Sequence, residues 1–391
     1  VMIQLHVFLL SMQLKWQPQD TETADNTEMV LDVTEAKQQF VFENVIESPV
    51  ASLLRGFSAP VKLSMNYQRA DLLRIMQSDS DGFCRWDASQ QLGLAEIRNA
   101  LAAQAAGEAA EVAQDYLDAC QQLLEDAQLD PAMVALMLQL PSEAYLAELI
   151  SPVDVHAIHQ AREALRKGIA TALVEPLQAA YRRCASDEAY QPSAEQIARR
   201  SLKNTALSYL MYTSHGPEMA REQFETSRNM TDRSAALNAI VNSDMPFKSE
   251  ALQRFYQEWQ HEPLVINQWF QLQAMCRLPG TIERVVELMS HPAYDAANPN
   301  KVRALVGAFC GQNAVNFHSE DGAGYAFLAD RVIELNQRNP QIASRLLGPL
   351  SKWRKYTPEV QQRMRGQLER ILAEPELSSD VYEVVSKSLK D

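Results

Sequence analysis

Cysteine is scarce: five in 391 residues, at Cys84, Cys120, Cys184, Cys276 and Cys310, odd in number, scattered, and without a C-x-x-C pair. Neither a disulfide framework nor a zinc ribbon is indicated, and a reducing cytoplasm fits this usage best. Positive charge is also short, with 36 Lys and Arg against 50 Asp and Glu and a formal charge of −14. No net positive field exists to draw in phosphate backbones or an anionic leaflet, which argues against nucleic acid and membrane as partners. The opening VMIQLHVFLLSMQLKW is apolar but has no basic start and no small-residue cleavage site, and polar residues interrupt it short of a membrane span. It begins with Val rather than Met, so the chain is expected to be cut from something longer, or processed.

Several chemical motifs are missing too. There is no G-x-S-x-G elbow, no Walker loop and no G-x-G-x-x-G after a strand, so nucleophilic catalysis and nucleotide binding lack support. EDGAGY (320–325) lacks the alternating acidic ligands of a calcium loop and a following helix signal, and reads as a turn between helices. His261-Glu262-Pro263-Leu264-Val265 starts like H-E-x-x-H, yet Val265 stands where the second histidine belongs. Pro263 favours a helix start there.

HAIHQARE (156–163) comes nearer to a metal site, because His156, His159 and Glu163 are spaced to stack on one helical face. Asp154 is a plausible cap, and Val155, Ile158, Leu165, Ile169 and Leu173 form the apolar stripe. At about 100° per residue the three candidate ligands fall about 90–150° from the middle of that stripe. They are expected on a solvated face, with Glu163 paired to Lys167 four positions on, and nothing nearby supplies the outer shell that a metal site needs.

What is present divides into two textures. With 46% apolar and 22% charged residues, the chain is long enough for two or more domains. In IQLHVFL, MVLDV and FVFENV, apolar residues take every second position, which suits half-buried strands. The polar stretch 17–28 reads as a hairpin loop, and residues 51–67, punctuated by Gly56 and Pro60, as an edge strand. Residues 1–68 are therefore expected to form a small β-sandwich lacking its first strands.

From residue 69 to 391 the period is helical. Thr281 precedes Ile282, Val285, Val286 and Met289 as a cap, and Ser193 and Gln196 have capping-box spacing before the stripe Ala198, Leu202, Ala206 and Tyr209. Thr357-Pro358 opens a helix that would bury Val360, Met364, Leu368 and Ile371. So many short helices without strands exceed one bundle, and stacked pairs in an α-helical superhelix are expected, although no strict repeat period is found. The fold class is thus mainly α with an N-terminal β module. Arg303 and Arg345 sit inside the apolar runs VRALVGAF and IASRLLGPL, where a charge must pair or face a wet cavity; such a lining could take a carboxylate.

SLLRGFSAPVKL (52–63), NMTDRSAAL (229–237), FYQEW with PLVINQWFQLQA (255–274), HPAYDAANPNKVRALVGAF (291–309), FHSEDGAGY (317–325) and NPQIASRLLGPL (339–350) resemble the C-terminal half of the bacterial aminopeptidase N family, gluzincin-type zinc metallopeptidases. The resemblance runs from about Phe40 to the end. It implies a β-sandwich and a helical superhelix that cap the active site and shape the peptide cavity. The zinc ligands, the general base and the amine-holding motif would lie on an upstream catalytic domain of the same polypeptide, so this chain would hold no cofactor and be non-catalytic alone. By the same resemblance Arg303 and Arg345 match arginines lining the cavity, and Gln341 a glutamine near the pocket for the first substrate residue. The implied substrates are peptides and the implied compartment is the cytoplasm. The rival reading is a free-standing helical-repeat scaffold that binds a protein partner.

Overall fold

The chain's structure is a computed structural model that describes residues 13–15, 30–40 and 49–390. Gln13–Lys15 pairs antiparallel with Val30–Asp32, with Leu14 opposite Leu31. Leu31 and Val33 are buried while Val30 and Asp32 are exposed, the alternation expected of MVLDV. IQLHVFL and nearly all of FVFENV lie outside the described residues.

The expected edge strand at 51–67 is not one. Its backbone turns through a 3-10 segment, Arg55–Phe57, with Leu54, Gly56 and Phe57 all at positive φ (57°, 62° and 51°), a path no strand can follow. The turn is held from the helical side. Arg55 donates to Asp79 and Ser80 at 2.6 Å each, and the Gly56 N–H donates to Asp81 at 2.9 Å. Ala51, Leu53, Leu54 and Ala59 bury against Leu31 and Val33 in a small core of their own. Phe83 packs against both this core and the main one, 5.0 Å from the Phe57 ring, and so joins them.

Everything from Arg69–Ser78 to Ser379–Leu389 is helical, and the local signals behave as capping chemistry requires. Asp154 accepts the Ala157 N–H at 2.9 Å and Ser193 accepts that of Gln196 at 3.3 Å. Pro263, Pro299, Pro340 and Pro358 each occupy a first turn, where the missing N–H costs nothing. The stripe Ala198, Leu202, Ala206 and Tyr209 is buried, as are Met364, Leu368 and Ile371. Two local expectations fail. Gly280, at φ 82°, caps Thr281–Met289, and the Thr281 hydroxyl instead donates to the carbonyls of Cys276 and Leu278. Val286 is exposed, because only part of that helix's apolar face meets the core.

Packing is mostly between near neighbours in sequence, the signature of a helical array. One layer closes on itself. Helices Val155–Ala172, Ala194–Leu210, Met230–Val241, Pro263–Ala274, Ala308–Gln312 and Ala314–Phe317 touch in that order, and the last returns to the first. Val174–Cys184, Gly216–Thr226, Lys248–Trp259 and Thr281–Met289 pack onto this ring as a second layer. Further bonds lock the return: the Val153 N–H donates to Lys355 O at 2.8 Å, His156 Nε2 donates to His318 O at 2.7 Å, and Lys355 pairs with Glu148 at 3.2 Å. No helix among the described residues is long and apolar enough to cross a membrane.

Candidate functional site

His156, His159 and Glu163 are neither solvated nor gathered around a common point. His156 is spent on the ring closure to His318, while His159 Nδ1 lies 2.8 Å from Glu143 Oε1. Glu163 is bound by Arg277 at 2.8 Å and by the Tyr212 hydroxyl, not by Lys167, which is exposed. The apolar stripe predicts only one buried face of this helix. Closure of the ring covers the other, so the expectation of a watery face and an Glu163–Lys167 pair is corrected. Among the described residues no group of three or more His, Cys, Asp and Glu is placed to hold a metal ion.

A recess of about 320 Å³ opens beside Glu163, between Val155–Ala172, Ala194–Leu210 and Met230–Val241. His159, Glu163, Arg166, Tyr212, Asn242 and Arg277 are among its walls, and no residue of the second layer is. It opens where the C-terminal ends of Ala194–Leu210 and Met230–Val241 meet the middle of Val155–Ala172. Arg166 stacks over Tyr209 and Tyr212, 5.5 and 5.4 Å from their centroids, and donates to the Ser208 hydroxyl at 3.2 Å. The Arg277 N–H of the backbone is held by Asn242 Oδ1 at 3.0 Å. Burial opposes the charge on Glu163, but Arg277, the Tyr212 hydroxyl and Arg166 outweigh it and hold the carboxyl below its ordinary value. Glu143 is held low in the same way, burial being outweighed by its bond to His159.

A larger recess, about 1070 Å³, lies on the second-layer side, walled by Leu252, Tyr256, Trp269, His291 and Arg284. Its aromatic wall is tightly assembled, with His291 4.8 Å from the Tyr256 ring and 5.2 Å from that of Trp269.

Arg303, Arg345 and Gln341 are all exposed. Arg303 opens a π-helical segment, Arg303–Gly307, and donates to Asn300 Oδ1 at 2.6 Å. Arg345 closes the short helix Pro340–Leu346, whose first turn carries Gln341. The two segments approach at Gly307, where a Cβ would sit 3.8 Å from Leu346 Cδ2. They are separate from the Glu163 recess, which sequence reading missed. The signal for it was Arg162, Glu163 and Arg166 on one helix, charges at a spacing that ordinary solvated helices also show.

EDGAGY joins Ala314–Phe317 to Ala323–Arg338 as a turn between helices, although a helix does follow at once, Gly322 (φ 75°) preceding its first residue. His261 precedes the helix Pro263–Ala274, in which Pro263 is the first residue. All five cysteines are buried, and burial raises the Cys84 and Cys120 thiols to about 12, far from the thiolate form a nucleophile needs.

A two-layered helical array beside a small β module defines a mainly α, repeat-like protein with a β appendage. A family model described as "Domain of unknown function (DUF3458_C) ARM repeats" matches residues 69–390, and one described as "Domain of unknown function (DUF3458) Ig-like fold" matches residues 5–66. The chain belongs to this DUF3458_C family. Aminopeptidase N of Escherichia coli strain K12 is 39% identical over 362 residues, which cover 92% of this chain and 42% of that protein. Aminopeptidase N of Caulobacter vibrioides is 39% identical over 373 residues, 95% of this chain and 43% of that one. The crystal structure of Legionella pneumophila aminopeptidase A in complex with aspartic acid superposes with a TM-score of 0.84 at 31% identity, over 97% of this chain and 45% of its own. The chain thus spans less than half the length of the relatives it matches.

Proposed function

We propose that this chain is the non-catalytic wall and cap of a cytoplasmic zinc-dependent aminopeptidase N, divided near residue 68 into a β module and a superhelix. Its partners are the upstream catalytic domain of the same polypeptide and the peptides that enter between them. Zinc on that upstream domain would polarise the scissile carbonyl and activate water. This chain's part is to enclose, orient and exclude, admitting unfolded peptide and keeping out folded chains. Arg303 and Arg345, both exposed, would line the cavity and hold a peptide carboxylate, and Gln341 would stand near the first substrate residue.

The observation that supports this reading is that His156, His159 and Glu163 are each bonded to a separate protein group, His318 O, Glu143 and Arg277 respectively, and so serve the packing of the array. The aminopeptidase relatives, matched over 42–43% of their length, support the rest. The test compares the chain alone with the polypeptide extended upstream, measuring bound zinc and hydrolysis of an aminoacyl-arylamide. Zinc and turnover are expected only with the extension. Zinc-dependent turnover by the chain alone would overturn the proposal.

A further inference from the structure

The recess beside Glu163 holds more positive charge than it neutralises. Arg166 and Arg277 line it with Glu163 as the one lining carboxylate, which lies 3.9 Å from Arg166 and 2.8 Å from Arg277; Arg162, outside the lining, is also 3.9 Å from Glu163. The side chains of Arg166, Glu163 and Arg277 are 14, 25 and 32% exposed, so all three are partly covered. Arg162 is occupied by the carbonyl of Pro141 at 2.9 Å. The other two are not fully used. A guanidinium has five N–H donors. Arg277 places one on Glu163, while the Arg166 bonds come from a single nitrogen directed at Ser208. One glutamate cannot satisfy both forks.

Size and place restrict what could complete the set. A recess of about 320 Å³ is at the small end of ligand pockets, suited to one terminal residue and not to an extended chain. Leu207, Met211 and Leu278 supply an apolar part of its wall. Planar anions take a guanidinium fork in a two-point grip, and a carboxylate has that shape.

We infer that this recess is a subsite for the free carboxylate end of a short peptide, with Arg277 and Arg166 as donors and Glu163 as the internal carboxylate that the ligand displaces. The inference rests on the peptidase reading above. It is a carboxylate position alternative to Arg303 and Arg345, and it makes Glu163 a competitor of the ligand.

That competition supplies a test with opposite signs. In the full-length polypeptide, KM is measured for a tripeptide with a free carboxylate and for the same tripeptide amidated. The free acid is expected to have the lower KM. Arg277→Gln should shrink that preference about tenfold, the loss of roughly one charge-assisted hydrogen bond. Glu163→Gln, which removes the competitor, should enlarge it by about threefold. A purely structural ion pair would move both variants in the same direction or leave the preference alone, and either result overturns the inference. If neither peptide is hydrolysed, the peptidase reading has failed instead. Calorimetric binding of the N-acetylated acid and amide to the same three proteins then decides the recess by the same pair of opposite shifts.

Discussion

Arg277 and Glu163, 114 positions apart in the chain, meet at 2.8 Å and tie the turn after Pro263–Ala274 to the middle of Val155–Ala172. Tyr212, from the end of Ala194–Leu210, donates to the same carboxylate. One side chain therefore fastens three parts of the ring. Because folding holds the Glu163 carboxyl below its ordinary value, the pair's contribution is complete above that value and disappears as pH falls through the lower folded one. Glu163→Gln should cost about 1–2 kcal/mol at pH 7. It should also lose less further stability than the unaltered chain between about pH 5 and pH 3. Chemical denaturation at several pH values checks both, and parallel pH profiles would contradict the assignment.

His318 should act over a higher range. Its imidazole is buried, Nδ1 is 2.8 Å from the Tyr325 hydroxyl, and its ring lies 4.5 Å from that of Tyr356. Burial, with His156 and Lys355 nearby, lowers its pKa to about 3. An unfolded histidine titrates near 6.5, so protons favour unfolding progressively below about pH 6.5 until the folded ring also charges. His318→Gln should lower Tm at pH 7 and flatten the fall in Tm between pH 6.5 and pH 4. Thermal melts monitored by circular dichroism give the slope, and an unchanged slope would remove His318 as its source.

The ring's last contact depends on a glycine. A Cβ on Gly324 would lie 2.2 Å from the Phe317 carbonyl oxygen, in backbone that cannot step aside cheaply. Gly324→Ala should destabilise by about 3 kcal/mol. Gly107→Ala is the comparison, since Gly107 has φ 71° but open space around it, and should cost only about 1 kcal/mol. Similar midpoint shifts in urea for the two variants would argue against a steric origin.

Arg303→Ala in the complete enzyme should raise KM for peptides with a free carboxylate more than for uncharged arylamides, by about three- to tenfold. Arg303 is exposed and bonded only within its own turn, to Pro299 O and Asn300 Oδ1, so the substitution should leave Tm within about 1 °C. Equal effects on the two substrate classes would refute the carboxylate role.

Residues whose meaning is local were legible. Asp154 and Ser193 cap where their spacing said they would, and Leu202, Tyr209 and Leu368 face the core as their period required. Residues 51–67 misled, because the same alternation of apolar residues serves a strand or a strapped turn, and the choice fell to Asp79, Ser80 and Asp81 on the neighbouring helical unit. His156, His159 and Glu163 misled more. A helix touching the core on one side looks alike whether its far side meets water or a helix that arrives 160 residues later. Arg303 and Arg345 stood out as charges inside apolar runs, whereas Gln341 entered only through family resemblance.

Short-range chemistry written in the chain determined that most of this protein is helical, where many helices begin, which faces bury, and that a β-patterned module precedes them. Backbone hydrogen bonding, capping and amphipathic burial act over a few residues, so their evidence sits in consecutive letters. Tertiary structure alone decided that the array closes into a ring and that Arg277 reaches Glu163. It likewise decided that a polar recess forms between helices whose sequences do not announce one another. Those outcomes depend on the summed small rotations from each helix to the next, a quantity that no single segment records.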